Sequence, residues 1–116
     1  MPPHEIAIAQ TRASRNISHM RETIIQGYDL STPEWLILGY IVGIGENGTK
    51  VGDIARALDV QSTYVTGTLR RLLEKHLVTA QVHSSDRRVR CMAATKNGMA
   101  VVQAVNAELG DRVDYI

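Results

Sequence analysis

"VGDIARALDVQSTYVTGTLRRLLEKHLV", Val51 to Val78, is the stretch on which the fold turns. It contains two helical patterns separated by a tight "DVQS" turn. In the first, Val51, Ile54, Ala55 and Leu58 recur at three- and four-residue steps and face inward, while Asp53, Arg56 and Asp59 face out. In the second, entered through Gln61 or Ser62 as cap, Val65, Leu69 and Leu72 form one apolar face. At about 100° per residue the opposite face carries Thr63, Thr66, Gly67, Arg70, Arg71 and Glu74. Two short helices joined in this way form a helix-turn-helix, spanning residues 51–75.

Downstream, the apolar period changes from helical to two. Val78, Ala80 and Val82 alternate with Thr79, Gln81 and His83. Val89, Cys91 and Ala93, the inward side, alternate with Arg90, Met92 and Ala94. The linker "SSDRR" reads as a hairpin tip, so residues 78–94 form a wing beside the helix pair. Thr95 is a natural N-cap for a last helix from Lys96 to about Leu109, which Gly110 interrupts.

Upstream, "LSTPEWLILGYIVG" opens with clear helix punctuation. Ser31 and Glu34 make a capping box, Leu30 and Trp35 occupy the staple positions, and Pro33 lies in the first turn. The apolar density from Leu36 to Ile44 predicts a mostly buried helix, ended by the "GENG" turn. The first helix, His4 to Gln26 with Gly27 as stop, carries a narrow stripe of Ile6, Ala9, Ala13, Ile17, Met20 and Ile24. The last helix carries Val101, Val102, Val105 and Leu109. One small helix-turn-helix domain is not expected to bury both stripes. Residues 4–27 and 96–116 are therefore predicted to be dimerisation helices, with these ten residues in the interface.

The architecture expected is mainly α with a small β-hairpin wing: one winged helix-turn-helix domain over residues 1–116, dimerising through its terminal helices. At 116 residues the chain suits one domain with a modest core. Its 44% apolar and 22% charged composition is that of an ordinary globular domain. One cysteine, Cys91, excludes an intramolecular disulfide and suits a reducing compartment. No apolar run approaches a membrane span, and "MPPHEIAIAQTR" lacks the uninterrupted apolar core of a signal peptide, so the location expected is cytoplasmic.

Net charge is only +1, but it is unevenly placed. Between Arg56 and Arg90 seven Lys/Arg face three acids, a net +4, leaving −3 for the rest. That segment is a candidate phosphate-facing surface. The second helix of the pair offers hydroxyls, amides and arginines that can meet base edges or phosphate. Its N-terminus favours phosphate. A glycine inside a helix costs about 1 kcal/mol relative to alanine, so Gly67 on the outward face suggests close approach to another surface. Arg87, Arg88 and Arg90 at the wing are placed to reach a narrow, negative minor groove. Asp86 would hold Arg88 in a fixed geometry. The predicted contacts to double-stranded DNA are Gln61, Ser62, Thr63, Tyr64, Thr66, Gly67, Arg70, Arg71, Arg87, Arg88 and Arg90, with Asp86 orienting the wing.

"LSTPEWLILGYI", the helix-turn-helix stretch and "SSDRRVRCMAATKNG" resemble the MarR family of bacterial and archaeal transcriptional regulators, over about residues 28 to 105. The most specific element is an Asp-x-Arg in the wing followed by Thr-x-x-Gly, here Asp86, Arg88, Thr95 and Gly98. The resemblance implies a winged-helix homodimer whose N- and C-terminal helices form the interface. It implies Arg88 in the minor groove with Asp86 positioning it, and a small phenolic or other aromatic effector. Where the family usually has glycine this chain has His76, and Ala80 stands where Arg or Lys is common. Only about twenty residues follow Thr95, which implies a reduced interface weighted toward the first helix.

Other sites are weaker. Cys91 reads as a buried structural thiol rather than a redox sensor. His4, His19, His76 and His83 share no ligand spacing, so no metal is expected, nor any cofactor. "GIGENG" follows a helix, not a strand, and is not a nucleotide fingerprint. Tyr28, Trp35 and Tyr40 suit the core better than a ligand pocket. The function expected is a sequence-specific DNA-binding regulator, a repressor at a palindromic operator, and not an enzyme. The alternative is a winged-helix module that binds another protein and has weak DNA affinity.

Overall fold

The computed structural model describes residues 3–82 and 90–113. In chain order the elements are α1 (Pro3–Gly27), α2 (Thr32–Ile44), α3 (Val51–Leu58), α4 (Ser62–Glu74), β1 (Val78–Val82), β2 (Arg90–Ala94) and α5 (Lys96–Val113). The strands pair antiparallel, with Val78 opposite Ala94 and Val82 opposite Arg90. This is the winged-helix arrangement.

α2 is the centre of the packing. Its sequence between the cap and Ile44 is apolar on nearly every side, and a helix of that kind must be surrounded. Ile37, Leu38 and Ile41 have no exposed surface. Around them α4 contributes Val65, Leu69 and Leu72, α3 contributes Ile54 and Ala55, and α1 contributes Ile24 and Ile25. α5 contributes Val102 and Val105. Three residues assigned to a dimer interface, Ile24, Val102 and Val105, therefore belong to the chain's own core. The helix-turn-helix alone has no room for them, but α2 does. Val101, Leu109 and Met20 are half-buried against the same core. Leu36 and Ile44, expected to be buried, are each 45% exposed, because they lie on the one side of α2 that no element covers.

The helix starts follow their local signals. Ser31 Oγ accepts from the Glu34 amide at 3.3 Å and donates to the Glu34 carboxylate at 2.9 Å. Thr95 Oγ1 accepts from the Gly98 amide at 3.0 Å. It also donates to the His76 carbonyl at 2.7 Å, so one hydroxyl joins the start of α5 to the end of α4. Gln61 is the N-cap of α4 but makes no side-chain cap bond.

α2 ends at Ile44 before the "GENG" turn, as expected, and three other helix ends share one device. α1 ends at Gly27, the stop read from the sequence, and the left-handed residue just beyond it is Asp29, φ 59°. Asp59, φ 54°, and His76, φ 60°, end α3 and α4 in the same way. Each makes a Schellman pair. For α4, His76 N–H bonds Leu73 C=O and Leu77 N–H bonds Leu72 C=O, both at 3.0 Å. Three left-handed caps thus lack the glycine that such positions favour. α5 in turn runs through Gly110 without a break.

The wing is less buried than its alternation suggests. Only Val78 of β1 is buried, and Val82 is 59% exposed, since this end of the hairpin extends past the helices. On β2, Cys91 and Ala93 are buried as expected, but so is Met92. Met92 turns toward the helical core with Val78 and Ala94, whereas Cys91 lies under the α2–α3 connection, where a Cβ on Gly48 would stand 3.1 Å from its own. Met92 and Thr49 of that connection exchange two backbone bonds, an extra rung at 2.8 and 2.9 Å. That rung brings the connection across the strand.

Candidate nucleic-acid interface

α4 is held by its inner side and bare on its outer side. Val65, Thr68, Leu69 and Leu72 are buried, and the Thr68 hydroxyl is satisfied by the Tyr64 carbonyl at 3.0 Å. Gln61, Ser62, Thr63, Tyr64, Thr66 and Arg70 are all exposed. Thr66 Oγ1 donates to the Ser62 carbonyl at 2.9 Å, which leaves its lone pairs outward as acceptors. A Cβ on Gly67 would meet nothing within 4 Å, so the glycine answers no need inside the chain. The face has donors, acceptors and one unshielded guanidinium on a rigid helix, and can lie flush against an external surface.

Arg70 and Arg71 occupy different settings. Arg70 lies on the outward side with Thr63 and Gly67. Arg71 is turned about 100° toward α2. Its Nη2 donates to Thr68 Oγ1 at 3.2 Å, and its Nε lies 3.9 Å from Glu34 Oε1. Glu34 is the buried carboxylate of the described residues, 5% exposed. Lys75 Nζ reaches its other oxygen at 2.6 Å and also donates to the Asp29 carbonyl. Burial alone would raise the Glu34 pKa. Hydrogen bonds from Lys75 and Ser31 and the charge of Lys75 reverse that, and the carboxyl ends below its ordinary value. The sequence identified Glu34 only as a cap. Its ion pairs join residues 37 and 41 positions apart, and no local pattern signals them.

The proposed wing contacts Arg87 and Arg88, and the orienter Asp86, lie outside the described residues. Of Arg90 the backbone is described, paired with Val82, but not the side chain. Arg56 is exposed and paired with Asp53. Two concave surfaces carry tyrosines. One, about 540 Å³, lies between the end of α2, the start of α3 and β2, with Tyr40, Lys50, Arg56 and Cys91 in its wall. The other, about 340 Å³, lies between α1 and α5 and includes Tyr28 and Glu108. Burial and the Glu108 carboxylate raise the Tyr28 pKa. Trp35 serves as a platform for Arg21, whose guanidinium carbon lies 5.5 Å from the ring centre. Among the described residues no cluster of three His, Cys, Asp or Glu could hold a metal, and no helix is long and apolar enough to cross a membrane.

Residues 28–89, which span α2 to the wing, match the model of the MarR family. The chain belongs to the MarR family. A curated relative, the transcriptional activatory protein BadR of Rhodopseudomonas palustris, is 33% identical over 88 residues, covering 74% of this chain. The chain matches about half of that relative's length, 50%. Among solved structures, a point mutant of Staphylococcus aureus MepR bound to an oligodeoxyribonucleotide superposes with a TM-score of 0.87 at 22% identity, covering 95% of this chain and 80% of that one. YusO from Bacillus subtilis gives 0.84 at 20% identity, covering 97% and 78%. At these identities the structures speak for the fold. The MarR-family resemblance and the winged-helix architecture read from the sequence both hold.

Proposed function

We propose that this chain is a sequence-specific double-stranded DNA-binding transcriptional regulator that acts as a homodimer on a palindromic operator. The observation that carries the reading is the outer face of α4: exposed hydroxyls, an amide, Arg70 and an unobstructed Gly67 on a helix whose other side is fully packed. Membership of the MarR family and the oligodeoxyribonucleotide bound by MepR support it. Gln61, Ser62, Thr63, Tyr64 and Thr66 read base edges in the major groove, Gly67 lets the helix come close, and Arg70 and Arg71 reach phosphate. Arg88, oriented by Asp86, enters the adjacent minor groove between Arg87 and Arg90. Two copies related by a two-fold axis, joined through Ile6, Ala9, Ala13 and Ile17 of α1, would set recognition helices about 34 Å apart, one turn of DNA. The protein works in the cytoplasm, catalyses no reaction, and binds a small aromatic effector at one of its tyrosine-lined surfaces.

Repression follows if the operator overlaps a promoter, and activation if it lies upstream; the BadR relative bears an activator's name. A reporter driven from the chain's own upstream DNA gives the direction. The binding reading is tested by selecting duplexes from a random library and titrating them at several salt concentrations. Arg88→Ala should weaken binding by about 1–3 kcal/mol. Arg70→Ala should lower the salt slope by about one unit. Unchanged affinity in both variants rejects the interface and favours a protein-binding module.

A further inference from the structure

The setting of Arg71 differs from that of Arg70, the other exposed cation on α4. Its side chain is 51% exposed, yet it is anchored at two points, Thr68 Oγ1 at 3.2 Å and the Glu34 carboxylate at 3.9 Å. Glu34 is itself immobilised. Its side chain is 6% exposed, one oxygen accepts from Ser31 at 2.9 Å, and the other binds Lys75 at 2.6 Å. Lys75 is in turn tied to the Asp29 carbonyl at the end of α1. The remaining guanidinium donors of Arg71 have no partner among the described residues. The Asp29 carboxylate, 3.8 Å from Lys75, balances that lysine, so the outward cation of the group is the half-exposed Arg71 guanidinium.

We propose that Glu34 is a positioning residue, which presents Arg71 to a backbone phosphate at the flank of the recognition helix. The assignment rests on the DNA-binding reading above. Arginine grips phosphate through a planar fork, and most of what it loses on binding is side-chain freedom. A guanidinium already pinned along its inner edge has less freedom to lose. Lys75 acts separately. It satisfies the oxygen that Arg71 does not face, and so keeps the carboxylate charged while buried. The capping box thereby does two things, starting α2 and aiming a cation on α4.

The test is a double-mutant cycle, read as affinity for a fluorescein-labelled duplex selected by the wild-type protein. Glu34→Gln retains a capping-box side chain and removes the charge. It should weaken binding about tenfold, within the usual coupling between touching residues. The same change in an Arg71→Ala background should cost nothing further. Tighter binding by Glu34→Gln would mean that the carboxylate sequesters Arg71, and overturns the proposal. So does an equal loss in both backgrounds, the outcome of fold support alone. Arg71→Lys keeps the charge but lacks the fork, leaves Glu34 untouched, and does not depend on Glu34→Gln folding. It should bind as weakly as Arg71→Ala, and wild-type affinity in it overturns the assignment. A wild-type protein that selects no duplex rejects the DNA-binding reading itself, and this assignment with it.

Discussion

The carboxyl of Glu34 titrates below its ordinary value of 4.5 although burial pushes it the other way. The bonds from Lys75 and Ser31 exist only in the folded chain, so the folded state favours the ionised form more than the unfolded state does. A depressed acid contributes stability that is complete above its unfolded pKa and is lost as pH falls through the folded one. The difference in urea midpoint between wild type and Glu34→Gln should therefore be largest at neutral pH and shrink below pH 4.5, the ordinary value. A difference that stays constant down to pH 3 would show that the ion pair adds nothing. At this scale the sequence was legible in part. Ser31 and Glu34 stand three apart, and their capping relation is local. Lys75 and Arg71 meet the same carboxylate only because α4 packs across the start of α2, and that is a tertiary fact.

Helix starts were legible because a cap is a matter of one side chain and the next turn. Helix ends were legible in part: Gly27 and the "GENG" turn close α1 and α2 as read, and His76 stands where a glycine cap is usual, but the caps themselves carry no signal of their own. Asp29, Asp59 and His76 all adopt positive φ, and none is the glycine that would mark such a place. For His76 the cost is tolerated because Thr95 Oγ1 holds its carbonyl at 2.7 Å and Leu77 N–H closes the motif on Leu72. A left-handed L-residue is disfavoured by about 1–2 kcal/mol, so His76→Gly should stabilise the protein by roughly 1 kcal/mol. For a domain of this size that is a rise in Tm of about 4 °C, measurable by calorimetry. A fall in Tm would mean that the imidazole makes a contribution that outweighs the backbone. The hairpin teaches a related lesson. Alternation had the phase of β2 reversed: Met92, with Val78 and Ala94, faces the helical core, and Cys91 is buried only because the α2–α3 connection at Gly48 covers the other face, which leaves no mark in the strand's own sequence.

Across the whole molecule, α1 changes character along its length. Ile24 and Ile25 are core, Met20 is half-buried, and Ile17 and Ile6 are 41% and 42% exposed. A continuous helix of 25 residues, about 37 Å long, must carry its first half away from the body, whose extents are 60 × 26 × 20 Å. The same stripe that is packed at one end is bare at the other. A second copy is the simplest cover for it, and the two-fold pairing proposed above follows. Ile17→Glu should turn dimer into monomer in analytical ultracentrifugation at tens of micromolar while leaving the helical circular dichroism intact. A wild-type monomer at that concentration rejects the pairing. A variant that remains dimeric moves the seam to α5. Burial of Val102 and Val105 makes that second seam narrower than the sequence suggested, since both stripes looked alike until α2 was seen to absorb one of them.

Two helical glycines look equivalent on paper and have opposite surroundings. At Gly98 a Cβ would stand 2.1 Å from the Leu77 carbonyl, in the joint where the first turn of α5 meets the end of α4. At Gly67 it would meet nothing within 4 Å. In a library scored for cellular abundance alone, position 98 should accept almost no other residue, whereas position 67 should accept alanine with a small gain. In the same library scored for operator occupancy, both should be intolerant. That outcome would say that one glycine is needed because the chain must come close to itself, and the other because something else must come close to the chain. A position that changes category between the two screens marks where a partner touches, without any structure of the complex.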